Sequence, residues 1–127
     1  MSTRSRIGIQ LSDDSILSSY HHWDGYPSWL GRILNTHYAS KDKVEELIDG
    51  GDMSTCWAMD GPRYYSQRGE DCPPRLDNDL CEYLLPDGSE EFAYVFRNDK
   101  WVCYDMHSFD NTKLPEVVSI PKGALAA

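Results

Sequence analysis

The sequence lacks the motifs and long apolar runs that would assign it directly to a large functional class. No apolar stretch approaches the roughly 20 residues that a membrane-spanning helix needs. Gly-x-Ser-x-Gly, the P-loop pattern and Gly-x-Gly-x-x-Gly do not occur, so no motif indicates an α/β-hydrolase, a P-loop nucleotidase or a dinucleotide-binding domain. No apolar segment follows the basic residues Arg4 and Arg6, and we therefore expect no secretory signal peptide.

Cysteine is present without the spacing that metal sites use. Cys56, Cys72, Cys81 and Cys103 include no Cys-x-x-Cys pair, so the sequence does not support a zinc ribbon. In a cytosolic protein these thiols are expected to be reduced. We expect neither a metal nor a cofactor.

Positive charge is scarce. The chain has 12 Lys and Arg residues against 21 Asp and Glu, a net charge of −9. Most of its surface should repel phosphates, so we expect no direct nucleic-acid binding. A partner protein with a basic surface is favoured instead, whereas solubility alone is the simpler explanation of the acidity.

The 127 residues, 40% of them hydrophobic, predict one globular domain over residues 1–127. Ile7, Ile9 and Leu11 alternate with polar or small residues, and residues 16–23 return after a turn, which predicts an N-terminal hairpin. Pro27 suits the first turn of a helix, and Ser40 suits the cap of a second one.

The C-terminal half is predicted to contain a second hairpin. Residues 91–96 and 100–106 alternate around the turn at 97–100 and are apolar on both faces, so this hairpin should be central or covered by helices. Residues 53–59 read as a strand, 63–79 as a loop, 80–85 as strand or helix, and the tail from 110 to 127 as frayed or packed on a partner. The fold class that results is α+β, a mostly antiparallel sheet with two short helices packed on one face.

The joint between the first hairpin and the first helix carries an unusual density of rings. It reads His21-His22-Trp23-Asp24-Gly25-Tyr26-Pro27. With this run, the start Ser2-Thr3-Arg4-Ser5-Arg6-Ile7 and weaker matches up to residue 105, the chain resembles an uncharacterised family of small phage and prophage proteins with a His-Trp-Asp-Gly-Tyr-Pro motif. The chain is shorter than that family's pattern between Met59 and Tyr64. The resemblance implies a phage origin and a host bacterial cytosol as the location, and it implies no chemistry.

Spaced carboxylates are the first candidate for a binding surface. They follow one another between residues 70 and 91 with Arg75 as the only counter-charge, and on a rigid surface they can imitate the phosphates of DNA. The candidate partner-binding residues are Glu70, Asp71, Asp77, Asp79, Glu82 and Asp87. A solvated loop face is the simpler alternative.

A local basic pocket is the second candidate. Arginines that bind phosphate and aromatic rings that stack on a base would together hold a nucleotide despite the overall charge. The candidate ligand-binding residues are Arg4, Arg6, Trp23, Tyr26 and Arg68. The alternatives are surface ion pairs for the arginines, such as Arg68 with Glu70, and core or helix-staple packing for the two aromatic residues.

The third candidate is an acid/base pair formed by His22 and Asp24. The simpler interpretation is an Asx-turn in which Asp24 accepts a backbone hydrogen bond. A His22–His37–Cys zinc cluster has no supporting spacing, and we name no catalytic or metal-binding residue.

These observations order three functional hypotheses. The first is a non-enzymatic phage accessory protein that inhibits a host nucleic-acid-handling or defence protein, with acidic DNA mimicry as one route. The second is a small-ligand binder that sequesters a nucleotide signal. The third is a small enzyme that uses His22 and Asp24. We expect no membrane contact, and the sequence leaves a homo-oligomer open.

Overall fold

The N-terminal hairpin forms where the alternation predicts it. The computed structural model describes residues 3–57, 61–85, 90–110 and 112–122. Strand β1 (Ser5–Gln10) pairs antiparallel with β2 (Ile16–His21) in a register that places Ser5 opposite His21. The turn between them contains Asp14 at φ 71°, a left-handed conformation that Asp tolerates.

The second hairpin is central, as its two-sided apolar pattern predicts. Strand β6 (Phe92–Arg97) pairs antiparallel with β7 (Lys100–Asp105), and β6 also pairs in parallel with β1. Its turn residues Asn98 and Asp99 have φ of 51° and 61°, the conformation that tight hairpin turns require.

The described residues form eight strands in one sheet, seven of them in the order β4-β3-β2-β1-β6-β7-β8 and β5 off this path. Strand β3 (Met53–Trp57) pairs in parallel with the end of β2 and antiparallel with β4 (Gly61–Tyr64), whereas β5 (Arg75–Asp77) pairs with the start of β2. In the tail, β8 (Glu116–Val118) pairs with β7. The sheet is mostly antiparallel, and the α+β prediction is confirmed.

Two helices cover one face. A π-helical turn (Pro27–Gly31) leads into α1 (Arg32–His37), and α2 (Lys41–Asp49) follows after Ser40, whose hydroxyl caps it by accepting from the Lys43 amide. Their apolar side chains pack on the same core as those of the sheet. From the helices this core takes Leu30, Ile33, Leu34, Val44, Leu47 and Ile48, and from β1, β3, β6 and β7 it takes Ile7, Ile9, Met53, Cys56, Tyr94, Phe96, Trp101 and Cys103.

A third helix, α3 (Leu80–Tyr83), belongs to a separate core cluster, which includes the β6 side chains that alternate with those facing α1 and α2. Residues 80–85, which the sequence predicts as either strand or helix, therefore begin with a helix. The Tyr83 ring lies over Gly8, where a Cβ atom would be 3.1 Å from it, and the Tyr83 hydroxyl donates to the Tyr94 carbonyl oxygen at 2.8 Å. The fold therefore has apolar cover on both faces of its central strands.

The segment 63–79 is more ordered than the loop that the sequence predicts. It contains Arg63 and Tyr64 of β4, a 3₁₀ helix (Tyr65–Arg68) and β5. Gly61 and Pro62 begin β4. Proline is tolerated there because β4 is an edge strand, whose outward amide positions need no partner.

No helix among the described residues combines the length and the apolar character that crossing a membrane would require.

Candidate functional site

The β3–β4 hairpin presents a row of large polar and aromatic side chains at one edge of the sheet. Thr55 pairs with Arg63, and Trp57 pairs with Gly61. Thr55, Trp57 and Arg63 line the same cavity, together with Ser54. The end of the strand predicted over residues 53–59 lies outside the described residues.

Trp23 reaches this hairpin through the backbone. The amide of His22 donates to the Met53 carbonyl oxygen at 3.2 Å, and the amide of Trp23 donates to the Ser54 carbonyl oxygen at 2.9 Å. The chain therefore continues alongside β3 beyond the end of β2. The Trp23 side chain is 45% exposed, so the interpretation of Trp23 as a core residue is wrong.

Arg68 is positioned by the 3₁₀ helix that follows β4. Its guanidinium carbon lies 5.3 Å from the centre of the Tyr65 ring, a cation–π distance. The helix is fixed at its start because the Tyr64 amide donates to Gln67 Oε1 at 3.0 Å. It is fixed to the sheet because the Tyr65 amide donates to the Asp52 carbonyl oxygen at 3.1 Å.

These side chains line a groove with two adjoining compartments, which we call the β3–β4 groove. The Trp compartment, about 490 Å³, is lined by Trp23, Ser54, Thr55, Trp57, Arg63 and Arg68. The Gln compartment, about 410 Å³, is lined by Ser54, Pro62, Arg63, Tyr64, Gln67 and Arg68. Both compartments are open to solvent.

The groove combines exposed indole rings with positive charge. Trp57 is 39% exposed and meets Trp29 edge to face at 5.7 Å between ring centres. Neither Arg63 nor Arg68 forms an ion pair within the part of the chain that the structure describes, and the expected pair of Arg68 with Glu70 is not among its contacts. Two guanidinium groups thus remain for an anion.

A second cluster of rings borders Trp23. The His22 ring meets the Trp23 ring edge to face at 4.8 Å, and His22 Nδ1 lies 2.8 Å from the Tyr20 hydroxyl. Burial, with a smaller effect from the charge of Arg4, lowers the pKa of His22. The edge of the groove therefore has a neutral imidazole at pH 7.

Of the residues predicted to bind a ligand, the structure brings Trp23 and Arg68 together. Arg6 does not line the groove: it is buried, donates to Ser18 Oγ at 3.0 Å and lies 4.0 Å from a carboxylate oxygen of Glu90. The contact with Glu90 fits the alternative of an ion pair for this arginine. Tyr26 is half-buried at the start of the π-helical turn and does not line the groove either.

Arg4 lies near Tyr20 and His22, since its charge affects the pKa of both, and it borders the groove without lining it. The sequence prediction missed Trp57 and Arg63. The available signal was the alternation of Thr55 with Trp57, which a hairpin through Gly61-Pro62 would have extended to Arg63.

The acidic segment does not form one available surface. Asp77 is buried and accepts from Arg75 at 3.0 Å, and Asp79 caps α3 by accepting from the Glu82 amide at 2.8 Å. Glu82 accepts from Asn78 at 3.1 Å, whereas Glu70 and Asp71 are exposed. Asp87 lies outside the described residues. Asp77 is thus a structural residue rather than a partner-binding one.

His22 and Asp24 do not form the predicted acid/base pair, because His22 Nδ1 meets Tyr20 and the structure gives the Asp24 side chain no hydrogen bond within its described residues. Asp24 is instead the residue with the left-handed φ of 58°. Gly25 is required for space, since a Cβ atom there would lie 2.4 Å from Ser5 Oγ. The described residues bring no three His, Cys, Asp or Glu side chains together as a metal site.

Comparison of the chain with protein-family models, with curated proteins and with solved structures finds no match.

Proposed function

We propose that this chain is a binding protein for a small anionic ligand that carries a planar ring, held in the β3–β4 groove. The observation that carries the proposal is the meeting of two exposed tryptophans with two arginines that no described carboxylate neutralises. Exposed indole rings favour stacking on a planar group, and guanidinium groups favour phosphate or carboxylate. A nucleotide has both features.

The charge of the whole molecule limits the ligand to few phosphates. With a net charge of −9, the surface beyond the groove repels a long polyanion, whereas a short ligand needs only the two arginines. This supports sequestration of a free nucleotide over binding of a nucleic-acid strand.

The test is calorimetric titration with nucleoside monophosphates, on the wild type and on Arg63→Ala. Loss of a hydrogen bond to a charged group should weaken binding by about ten- to a hundredfold. Arg97→Ala is the matched control, because Arg97 lies on β6, which two strands separate from the hairpin. Equal affinity of Arg63→Ala and the wild type would refute an anion site in the groove.

Stacking is tested separately at Trp57. Trp57→Ala should weaken binding, and Trp57→Phe should retain most of the affinity because a phenyl ring still stacks. Equal losses in both variants would show that the indole does not act as a stacking surface.

We also propose that the exposed acidic residues Glu70 and Asp71 contact a partner protein. Glu70 and Asp71 are exposed, and with burial as the largest cause the nearby carboxylates of Asp52, Glu70 and Asp71 raise the pKa of Cys72. This local concentration of negative charge favours a phage accessory protein whose acidic patch contacts a basic surface of a host protein and inhibits it.

Charge reversal of Glu70 and Asp71 to Lys tests this proposal. It should abolish the retention of a host protein from bacterial lysate at low salt, whereas reversal of Glu46 and Glu116, the same change of net charge elsewhere, should not. Asp77 is unsuitable for the test because its reversal would place a cation in a buried position beside Arg75. Identical retention by both double variants would exclude a local acidic contact.

A further inference from the structure

The two compartments of the β3–β4 groove meet at the same positively charged wall. Ser54, Arg63 and Arg68 line both, and the remaining lining residues differ. The anion-binding groups therefore lie between the two compartments rather than at the far end of a single compartment. A ligand with its phosphate at one end would occupy one compartment and leave the other open.

The Trp compartment offers stacking surfaces. Trp23 and Trp57 are both exposed, and each is held by an edge-to-face contact with another ring, His22 and Trp29. These contacts fix the orientation of the indoles before a ligand arrives, which reduces the ordering cost of binding.

The Gln compartment offers a rigid wall and an amide. The Tyr64 hydroxyl donates to the Leu47 carbonyl oxygen at 2.5 Å, and its ring packs so closely on Gly50 that a Cβ atom there would lie 2.1 Å from it. Gln67 uses its Oε1 to accept from the Tyr64 amide. Its amide NH₂ group forms no hydrogen bond within the described chain, and such a group can read the edge of a base.

We infer that the β3–β4 groove holds a dinucleotide, with one base in each compartment and the linking phosphates on Arg63 and Arg68. This inference rests on the proposed function and goes further by naming the ligand class. Linear and cyclic dinucleotides share two bases joined through phosphodiester groups, one in the linear form and two in the cyclic form. A longer strand is disfavoured because it would leave the groove and run along an acidic surface.

The experiment compares four probes of the same base by calorimetric titration: the nucleoside monophosphate, the linear dinucleotide, the cyclic dinucleotide and a single-stranded decanucleotide. Adenine and guanine series are run in parallel. One of the two dinucleotides should bind at a ratio of one per chain and at least about tenfold tighter than its monophosphate. The arm that binds tighter identifies the linear or the cyclic form.

Gln67→Glu separates the compartments. It keeps the side-chain oxygen that accepts from the Tyr64 amide, and it introduces a carboxylate where the second base and its phosphate would lie. Dinucleotide affinity should fall by about tenfold or more, and by a clearly larger factor than monophosphate affinity, because the new carboxylate meets the second base in addition to repelling phosphate on Arg63 and Arg68. Trp57→Ala should reduce both.

The outcomes distinguish this inference from the proposed function. Equal affinities for the monophosphate and both dinucleotides, or an equal loss of both ligands in Gln67→Glu, would overturn the dinucleotide and leave a single-nucleotide site. A decanucleotide that binds tighter than either dinucleotide would also overturn it. Absence of binding by every probe would overturn both.

Discussion

At the scale of single residues, His21 is the least expected feature of the fold. Its side chain is fully buried beside the helices, Nδ1 lies 3.4 Å from Ser5 Oγ, and Nε2 has no hydrogen-bond partner among the described residues. Burial, with a smaller effect from neighbouring His22, lowers the pKa of His21 to about 3. The native state therefore contains a neutral imidazole that strongly resists protonation.

This burial predicts a fall in stability with acidity. Below pH 6.5 the unfolded chain binds a proton at His21, whereas the folded chain does not until about pH 3. The free energy of unfolding should thus decrease as the pH falls through this window, by at most about 1.4 kcal/mol per unit, and the contribution of His21 is complete above pH 6.5. Urea denaturation between about pH 5 and 7 measures the slope before acidic groups such as Asp13 and Asp110, whose pKa values hydrogen bonds lower, begin to titrate.

His21→Gln isolates the effect, because His22, whose pKa burial also lowers, contributes a smaller slope of the same sign in both proteins. The exposed His37, changed to Gln, is the matched control and should keep the wild-type slope. A slope in His21→Gln equal to that of the wild type would mean that position 21 does not exclude the proton.

The sequence indicated part of the candidate site at this scale. Trp23 and Arg68 were identified as candidate ligand-binding residues. An aromatic residue beside a turn and an isolated arginine can be recognised in a sequence before the fold is known. Alternation shows which residues of β1 share a face but not which face is covered, so it could not reveal that Arg6 is buried. Trp57 and Arg63 become visible only once the two strands are paired in register, which a single strand pattern does not specify.

At the scale of elements, long alternating or amphipathic segments were predictable and short ones were not. Both hairpins and the α1–α2 pair have periodic apolar positions and identifiable caps or turns. The strands β4, β5 and β8 have three or four residues each and several exposed side chains, so no periodicity can reveal them. They exist because β3, β2 and β7 offer unpaired edges to them.

Gly51, which follows α2, allows the segment around Cys72 to pack closely against the start of β3. Gly51 has φ of 86°, and a Cβ atom there would lie 2.1 Å from the Cys72 carbonyl oxygen, which itself accepts from the Asp52 amide at 2.9 Å. Gly69 has a similar φ of 82°, and no atom of the described residues lies within 4 Å of its Cβ position. A side chain at either position would have the same unfavourable φ. Only at position 51 would it also clash with a neighbouring backbone.

We predict that Gly69→Ala costs about 1–2 kcal/mol, the backbone strain alone, and that Gly51→Ala costs at least about 1 kcal/mol more. Urea denaturation of both variants measures the difference. Gly51→Ala should also weaken ligand binding in the groove, because the 3₁₀ helix that carries Arg68 is held by the neighbouring Asp52. Similar stabilities of the two variants would show that the Cys72 segment moves aside without cost.

At the scale of the whole molecule, the topology depends on contacts that no local pattern encodes. Strand β1 lies between its sequence neighbour β2 and the distant β6, with a parallel register that pairs Ile7 with Tyr94. The Tyr94 hydroxyl then donates to the Gly25 carbonyl oxygen at 2.7 Å, so the joint before the helices is tied to the opposite end of the chain. The β3–β4 groove depends on this arrangement because Trp23, whose amide donates to Ser54 of β3, lies two residues before Gly25 in that joint.

The excess of negative charge should oppose this compact arrangement. With a net charge of −9, self-repulsion favours the expanded chain, and salt screens it. Salt also weakens ion pairs, but exposed pairs such as Lys41–Glu45 are worth only about 0–1 kcal/mol, so screening of the repulsion should dominate.

Raising NaCl from about 10 to about 300 mM at neutral pH should therefore increase the free energy of unfolding by about 1 kcal/mol. Repeating the urea titration near pH 4.7, where the net charge vanishes, supplies the control, and the salt effect should disappear there. Stability that decreases with salt at neutral pH would mean that attractive pairs outweigh the net charge. In that case the acidic residues would have to be arranged against the basic ones in the fold, and the surface would not repel a long polyanion.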